Sequence, residues 1–252
     1  MFNLTLVGIG AGNPRHLTLQ AIDALNAADV ILIPRKGPGK DDLAGLRRQI
    51  CTDVLRAGGP RIHEFDLPVR DAANPDYRAG VDDWHDAIAD TWQSAIRAAL
   101  PQGGTAAFMV WGDPALYDST LRIADRLRDR MPVTVTVIPG LTAIAALTAG
   151  HAIALNEIGA PFVVTTGRQL RENGWPQGVD TAVVMLDGGG AFQALNPDGL
   201  WIWWSAYAGM ENEIRIAGPL AEVADKIIAT RQKARADHGW IMDIYLLRRS
   251  AG

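Results

Sequence analysis

The sequence predicts an α/β protein in two parts, and three observations predict it. The first is the run Ala106, Ala107, Phe108, Met109 and Val110, which is short, continuous and apolar, as in a strand buried on both faces of a parallel sheet. It stops at Trp111-Gly112-Asp113-Pro114, where Gly112 frees the backbone and Pro114 cannot donate to a ladder. Asp118 then offers a cap to a helix with Leu121, Ala124 and Leu127 at helical spacing. A strand-to-helix corner with a carboxylate and exposed backbone is where open α/β sheets bind ligands, although Gly-Asp-Pro alone also serves as a tight turn. The second observation is the β-branched run Val133 to Ile138, closed by Pro139-Gly140, where the composition changes. The third is a second half whose strand and helix candidates follow an α+β pattern.

Composition excludes several classes. Of 252 residues 48% are hydrophobic and 21% charged, which fits a globular protein. A net charge of −4 argues against a general nucleic-acid binder. Cys51 is the single cysteine, so no intrachain disulfide can form and a cytoplasmic setting is expected. Arg15 and His16 interrupt the first apolar run, so neither a leader nor a membrane span is expected. His16, His63, His85, His151 and His238 are scattered without metal-ligand spacing, and no metal is expected.

In chain order, Leu4 to Ile9 reads as a strand running into Gly8, Gly10 and Gly12, then Asn13-Pro14. A dinucleotide fingerprint would need a third glycine at Asn13 and a helix already under way at Pro14. The helix fits better from Thr18 to about Ala28, with Leu19, Ile22 and Leu25 as its apolar stripe. Val30 to Ile33 is the next strand, followed by Arg35 and Lys36 in a basic loop and a helix from Asp41 or Asp42 to Ile50. No acidic residue follows this strand to hold a ribose, which disfavours a nicotinamide oxidoreductase. The segment Ile62 to Leu67, the stretch with Arg70, and a helix from about Tyr77 to Leu100 lead to the central strand. Beyond Gly140 come a small-residue helix, strands at Phe162, Ala182 and Trp201, a helix opened by Gly218-Pro219, and a last strand at Ile241 to Leu247. Trp201, Trp203, Trp204 and Trp240 read as packing. The domain division is expected between residues 138 and 139.

Taken together, Leu6 to Pro14 with His16 to Leu19, Trp111 to Pro114, and Ile138 to Thr142 resemble the tetrapyrrole methylases, and the likeness spans the chain. The resemblance implies a mostly parallel N-terminal sheet with helices on both faces and a smaller C-terminal α/β lobe with a mixed sheet. It implies S-adenosylmethionine in the cleft between them, S-adenosylhomocysteine as product, and a homodimer. Lys40 to Leu43, Leu155-Asn156, Thr165 to Arg168, Met185 to Gly188, Ala206-Tyr207 and Gly239 to Arg248 resemble one branch of the family. That branch methylates carbon 1 of precorrin-5 and releases a two-carbon acyl group as acetate. Alternatives are a methylase of the same fold with another substrate and a catalytically silent cofactor binder.

By family position the cofactor contacts would be Pro14, Trp111, Gly112, Asp113, Leu116, Thr142, Ala143, Met185 and Ala206, many through backbone. Relatives often carry Thr-Ser where this chain has Thr142-Ala143, and a polar residue at Ala115, so side-chain contacts are fewer here. Methyl transfer from a sulfonium needs alignment rather than a base. Acyl release needs a general base, for which His151 is the first candidate and Asp113, Tyr117 and Tyr245 are weaker ones. Tyr117 and Tyr245 are otherwise expected to pack or to orient the substrate. Its carboxylates call for local cations on an acidic protein, and Arg35, Lys36, Arg70, Arg122 and Arg168 stand at element ends suited to that.

Overall fold

The structure is a computed structural model that describes residues 1–35, 42–69 and 77–249. It divides into two compact units, Met1–Thr142 and Ala143–Gly252.

The first unit alternates strand and helix: β1 (Phe2–Gly8), α1 (Leu19–Ala27), β2 (Val30–Arg35), α2 (Asp42–Val54), β3 (Arg61–Asp66), α3 (Tyr77–Ala99), β4 (Gly104–Val110), α4 (Thr120–Arg128) and β5 (Val133–Ile138). Its five strands are all parallel in the order β3-β2-β4-β1-β5. Alternate side chains feed two separate cores. Leu4, Leu6, Leu32 and Phe108 pack with Trp92 and Ile96 of α3 and with Ile123 and Leu127 of α4. Val7, Ile31, Ile33 and Met109 pack with Ala21 and Leu25 of α1 and with Ile50 of α2. Inner strands covered on both faces need apolar residues at every position, which is why they read as continuous runs.

Thr18 caps α1, its hydroxyl accepting the Ala21 N–H at 3.0 Å. The buried pair is Ala21 and Leu25, while Leu19 is 82% exposed. The expected stripe holds at Leu25 and at Ile22, which packs on the same core, and is corrected at Leu19, which points away while Ala21 faces the sheet. Against α4, α3 sets a ladder of acids. Asp82 and Asp86 meet Arg126, and Asp86 and Asp90 meet Arg130, at 2.7–3.2 Å. Cys51 lies buried in α2, and burial pushes its thiol up to about 11.

The second unit comprises α5 (Ala143–His151), β6 (Phe162–Thr166), α6 (Gly167–Asn173), β7 (Thr181–Met185), β8 (Leu200–Ala206), β9 (Ile214–Pro219), α7 (Leu220–His238) and β10 (Asp243–Arg249). The sheet order is β6-β7-β10-β8-β9, with β6 and β7 parallel and the other pairs antiparallel. Val184, Ile202, Trp204, Tyr245 and Leu247 pack on Leu170 of α6, Phe192, and Leu220 and Ile227 of α7. Strand β9 is absent from the sequence reading. It is a short edge strand whose last residue, Pro219, pairs with Trp201 at the margin, where a missing donor is tolerated.

The division falls at Thr142–Ala143, four residues beyond the expected boundary. Pro139 to Thr142 stay with the first unit because Gly140 is bound into its sheet ends. Among the described residues, no helix is long and apolar enough to cross a membrane.

Candidate active site

Three strand ends of the first unit meet at glycines. Beyond β1 and β4 the backbone turns antiparallel: Gly10 N–H donates to the Gly112 carbonyl at 3.3 Å, and Gly112 N–H returns to Gly10 at 2.9 Å. Both glycines have positive φ, 77° and 66°. A Cβ on Gly8 would lie 2.5 Å from the Gly140 nitrogen, and one on Gly140 would lie 2.2 Å from the Gly112 oxygen. No side chain fits at either place, so the ends of β1, β4 and β5 close on one another backbone to backbone. Adjacent strands β1 and β4 run on to helices on opposite faces of the sheet, a topological switch point of the kind that takes ligands.

Asp113 ties this corner together. Its Oδ2 accepts the Gly140 N–H at 2.9 Å and its Oδ1 the Ala115 N–H at 2.8 Å, while its carbonyl accepts the Leu116 N–H at 3.2 Å. Asp118 accepts the Thr120 N–H at 2.6 Å and so opens α4. Between them Tyr117 stands at φ 50° and 44% exposed, and partial burial raises its phenol above the ordinary range. Where a Cβ on Gly112 would stand the space is open.

The remaining expected residues of this unit are placed as follows. Pro14 begins a 3-10 turn, Pro14–His16, whose first N–H is capped by Asn13. Trp111 is half-buried against the core, and Leu116 and Thr142 are half-buried. Arg35 is held in a two-pronged pair by Asp66, at 3.0 Å on each prong, so its charge is already met. Arg122 is exposed and donates to the Asp118 carbonyl at 3.1 Å. Lys36 and Arg70 lie outside the described residues.

In the second unit Ala143 starts α5 and His151 ends it. His151 Nε2 lies 3.2 Å from the Trp204 carbonyl and 3.2 Å from Ser205 Oγ. A carbonyl only accepts, so Nε2 carries the proton and Nδ1 the lone pair. Burial lowers the imidazole's pKa, outweighing the bond to Trp204 that works to raise it. Arg168 is exposed in the first turn of α6. Met185 is half-buried at the end of β7. Ala206 is fully buried: its methyl packs in the core and its backbone pairs with Ile214 and Asp243, so it offers a ligand no side chain.

Tyr245 corrects an expectation. It is buried in the core, and its hydroxyl donates to Asp187 Oδ2 at 2.7 Å, so it cannot touch a substrate. Strand β10 is buried on both faces from Ile244 to Leu247, and Tyr245 shares its face with Leu247 in the core.

Asp187 was not among the expected site residues. Its buried carboxylate also accepts from Ala191 N at 2.5 Å, Gly189 N at 3.1 Å and Arg171 at 2.8 Å. Burial works to raise its pKa, but the bonds from Tyr245, the two backbone N–H groups and Arg171 outweigh it and hold the carboxyl below its usual range. The sequence signal was an acid followed by three glycines at a strand end, the same grammar as Gly112-Asp113-Pro114.

Comparison with known proteins places this architecture. A protein from Sinorhizobium described as precorrin-6A synthase (deacetylating) is 49% identical over 253 residues, covering all of this chain and 97% of that protein. The crystal structure of a cobalamin-synthesis-related protein, CobF, from Corynebacterium diphtheriae superposes over 100% of both chains with a TM-score of 0.83 and 38% identity. A uroporphyrin-III C-methyltransferase from Thermus thermophilus, complexed with S-adenosylhomocysteine, shares the fold at a TM-score of 0.60 and 20% identity, over 98% of this chain and 92% of that one. The model of the tetrapyrrole (corrin/porphyrin) methylases matches residues 3–224. The chain belongs to the tetrapyrrole methylases.

Proposed function

We propose that this chain methylates carbon 1 of precorrin-5 with S-adenosylmethionine and removes the two-carbon acyl group as acetate. That is the reaction of a deacetylating precorrin-6A synthase in aerobic cobalamin synthesis. The full-length likeness to a protein of that description carries the reading.

The residues present fit such a cofactor. Open space at Gly112 leaves backbone rather than side chain facing a ligand, at a switch point of the sheet. Pro14, Trp111, Gly112, Leu116, Thr142, Ala143, Met185 and Ala206 are the proposed contacts, with Asp113 holding the corner in shape. When bound, the cofactor supplies a methyl on a sulfonium, open to in-line displacement by the substrate carbon. The chain's own contribution to that step is alignment, for which well-oriented reactants gain roughly 7–11 kcal/mol.

Acyl release is assigned to His151. Its Nδ1 takes a proton from water as the oxygen adds to the acyl carbonyl. The bond from that carbon to the ring then breaks, its electron pair passes into the conjugated ring, and acetate leaves. Arg122 and Arg168 are proposed to meet the substrate's carboxylates, and Tyr117 to orient it. We further propose a homodimer working in the cytoplasm.

Incubation with precorrin-5 and S-adenosylmethionine tests the reading directly. Mass spectrometry should find a product that has gained one methyl and lost the acyl group, with acetate released. Methylation without acyl loss, or turnover only with another precorrin, would move the chain to a different methylase of the same fold.

A further inference from the structure

Among the described residues, four that are not glycine have positive φ: Tyr117 at 50°, Ala152 at 53°, Leu186 at 52° and Tyr207 at 53°. Three of them directly follow positions assigned to the cofactor, namely Leu116, Met185 and Ala206. A left-handed backbone is costly for a branched residue and persists only where its surroundings over-determine it, commonly at ligand sites.

At Leu186 the strain is plainest. The side chain is 65% exposed, so no packing of its own repays the conformation. What fixes the backbone lies one residue on. The Asp187 carboxylate is gripped from four directions, by Tyr245, Arg171 and the N–H groups of Gly189 and Ala191. Its carbonyl accepts from Arg231 at 2.6 Å, and Arg231 is itself paired with Asp243 at 2.7 Å. Space for the carboxylate exists only because residue 167 is glycine, where a Cβ would fall 2.3 Å from Asp187 Oδ1.

We infer that Asp187 is a positioning residue whose buried carboxylate, anchored by the Tyr245 hydroxyl, holds Leu186 left-handed and thereby sets the Met185 backbone for the cofactor. The inference rests on the reading that Met185 is a cofactor contact. Asp187 and Tyr245 touch neither cofactor nor substrate. Their effect falls on cofactor affinity and leaves turnover at saturation alone.

The test is a calorimetric titration of S-adenosylmethionine, paired with steady-state kinetics. Tyr245→Phe removes the hydroxyl and keeps the ring edge-on to Phe192. It should weaken cofactor binding about ten-fold, the scale of one hydrogen bond to a charged group, raising KM with kcat retained. Adding Leu186→Gly, which adopts positive φ without penalty, should then recover roughly three-fold or more. A role for Tyr245 in core packing alone predicts no such rescue. Arg171→Gln, which loosens the same carboxylate from its exposed side, should weaken binding in the same direction and serves if Tyr245→Phe does not fold. Unchanged affinity in these variants, or a Tyr245→Phe loss that Leu186→Gly leaves intact, overturns the inference. Failure of the unaltered protein to bind the cofactor overturns the functional reading and this inference with it.

Discussion

The Asp113 carboxylate and the Gly140 backbone N–H form a 2.9 Å hydrogen bond between the turn after β4 and the turn after β5. The carboxylate's other oxygen closes its own turn on Ala115. Hydrogen bonds to a charged group are each worth roughly 1.5–3 kcal/mol. Asp113→Ala should therefore lower unfolding stability by about 2 kcal/mol or more, and Asp113→Asn by less, read from urea midpoints. An Asp113 whose role is confined to touching ligand would leave those midpoints where they are.

Gly140 and Gly112 should respond very differently to one methyl group. A Cβ on Gly140 meets the backbone oxygen of Gly112 at 2.2 Å, and neither strand end can retreat. Overpacking usually costs about 1–3 kcal/mol, and Gly140→Ala should sit at or above the top of that range. At Gly112 the space is open, so alanine meets only the left-handed backbone penalty of roughly 1–2 kcal/mol. Thermal melts of the two variants give the comparison, and equal losses would contradict the close approach of the strand ends.

His151→Ala should separate the two halves of the proposed chemistry. Methyl displacement depends on alignment, whereas acyl cleavage depends on proton transfer worth about 10²–10⁴-fold. The variant should still consume cofactor but accumulate a methylated product that keeps its acyl group. The ratio of acetate to S-adenosylhomocysteine reads this out, near unity for the unaltered protein. Parallel loss of both products would instead make His151 a shaping residue.

Stability should fall as pH drops through about 6.5, the unperturbed value for an imidazole. His85 is buried, and neither ring nitrogen has a hydrogen-bond partner among the described residues. Burial lowers its pKa, with Arg126 and Arg122 adding to the effect and Asp82 and Asp86 opposing it. Burial lowers that of His151 as well. Below pH 6.5 the unfolded chain thus binds protons that the folded chain resists, so stability rises with pH across that window and levels off above it. His85→Leu removes one such group and should flatten the slope between pH 5.5 and 7. A slope unaffected by the substitution would assign the dependence elsewhere.

How far the sequence speaks depends on the range of the interaction. Inner strands such as β4 were legible because burial on both faces leaves an unbroken apolar run. Strand β9 was not: at the sheet edge Arg215 separates Ile214 from Ile216, so no unbroken apolar run marks it, and Gly218-Pro219 reads as a helix opening whether or not a strand precedes it. At the site, the Gly112-Asp113-Pro114 corner was visible as local grammar. Its purpose was not, because the Gly140 N–H arrives from 27 residues away. The substrate role expected of Tyr245 fails for the same reason, while its packing holds. A hydroxyl in an apolar strand suggests a ligand until its partner, Asp187, is found 58 residues earlier. Distances along the chain of that size leave no trace in a pattern of neighbours.

The single thiol has a practical consequence. Cys51 is packed inside α2 and held protonated by burial, so a maleimide or iodoacetamide at neutral pH finds almost no thiolate to attack. The molecule thus comes with a silent background for chemical labelling. One cysteine introduced at a surface position would carry a fluorophore or spin label alone. Motions of the loop after β7 could then be followed with the native sequence otherwise intact.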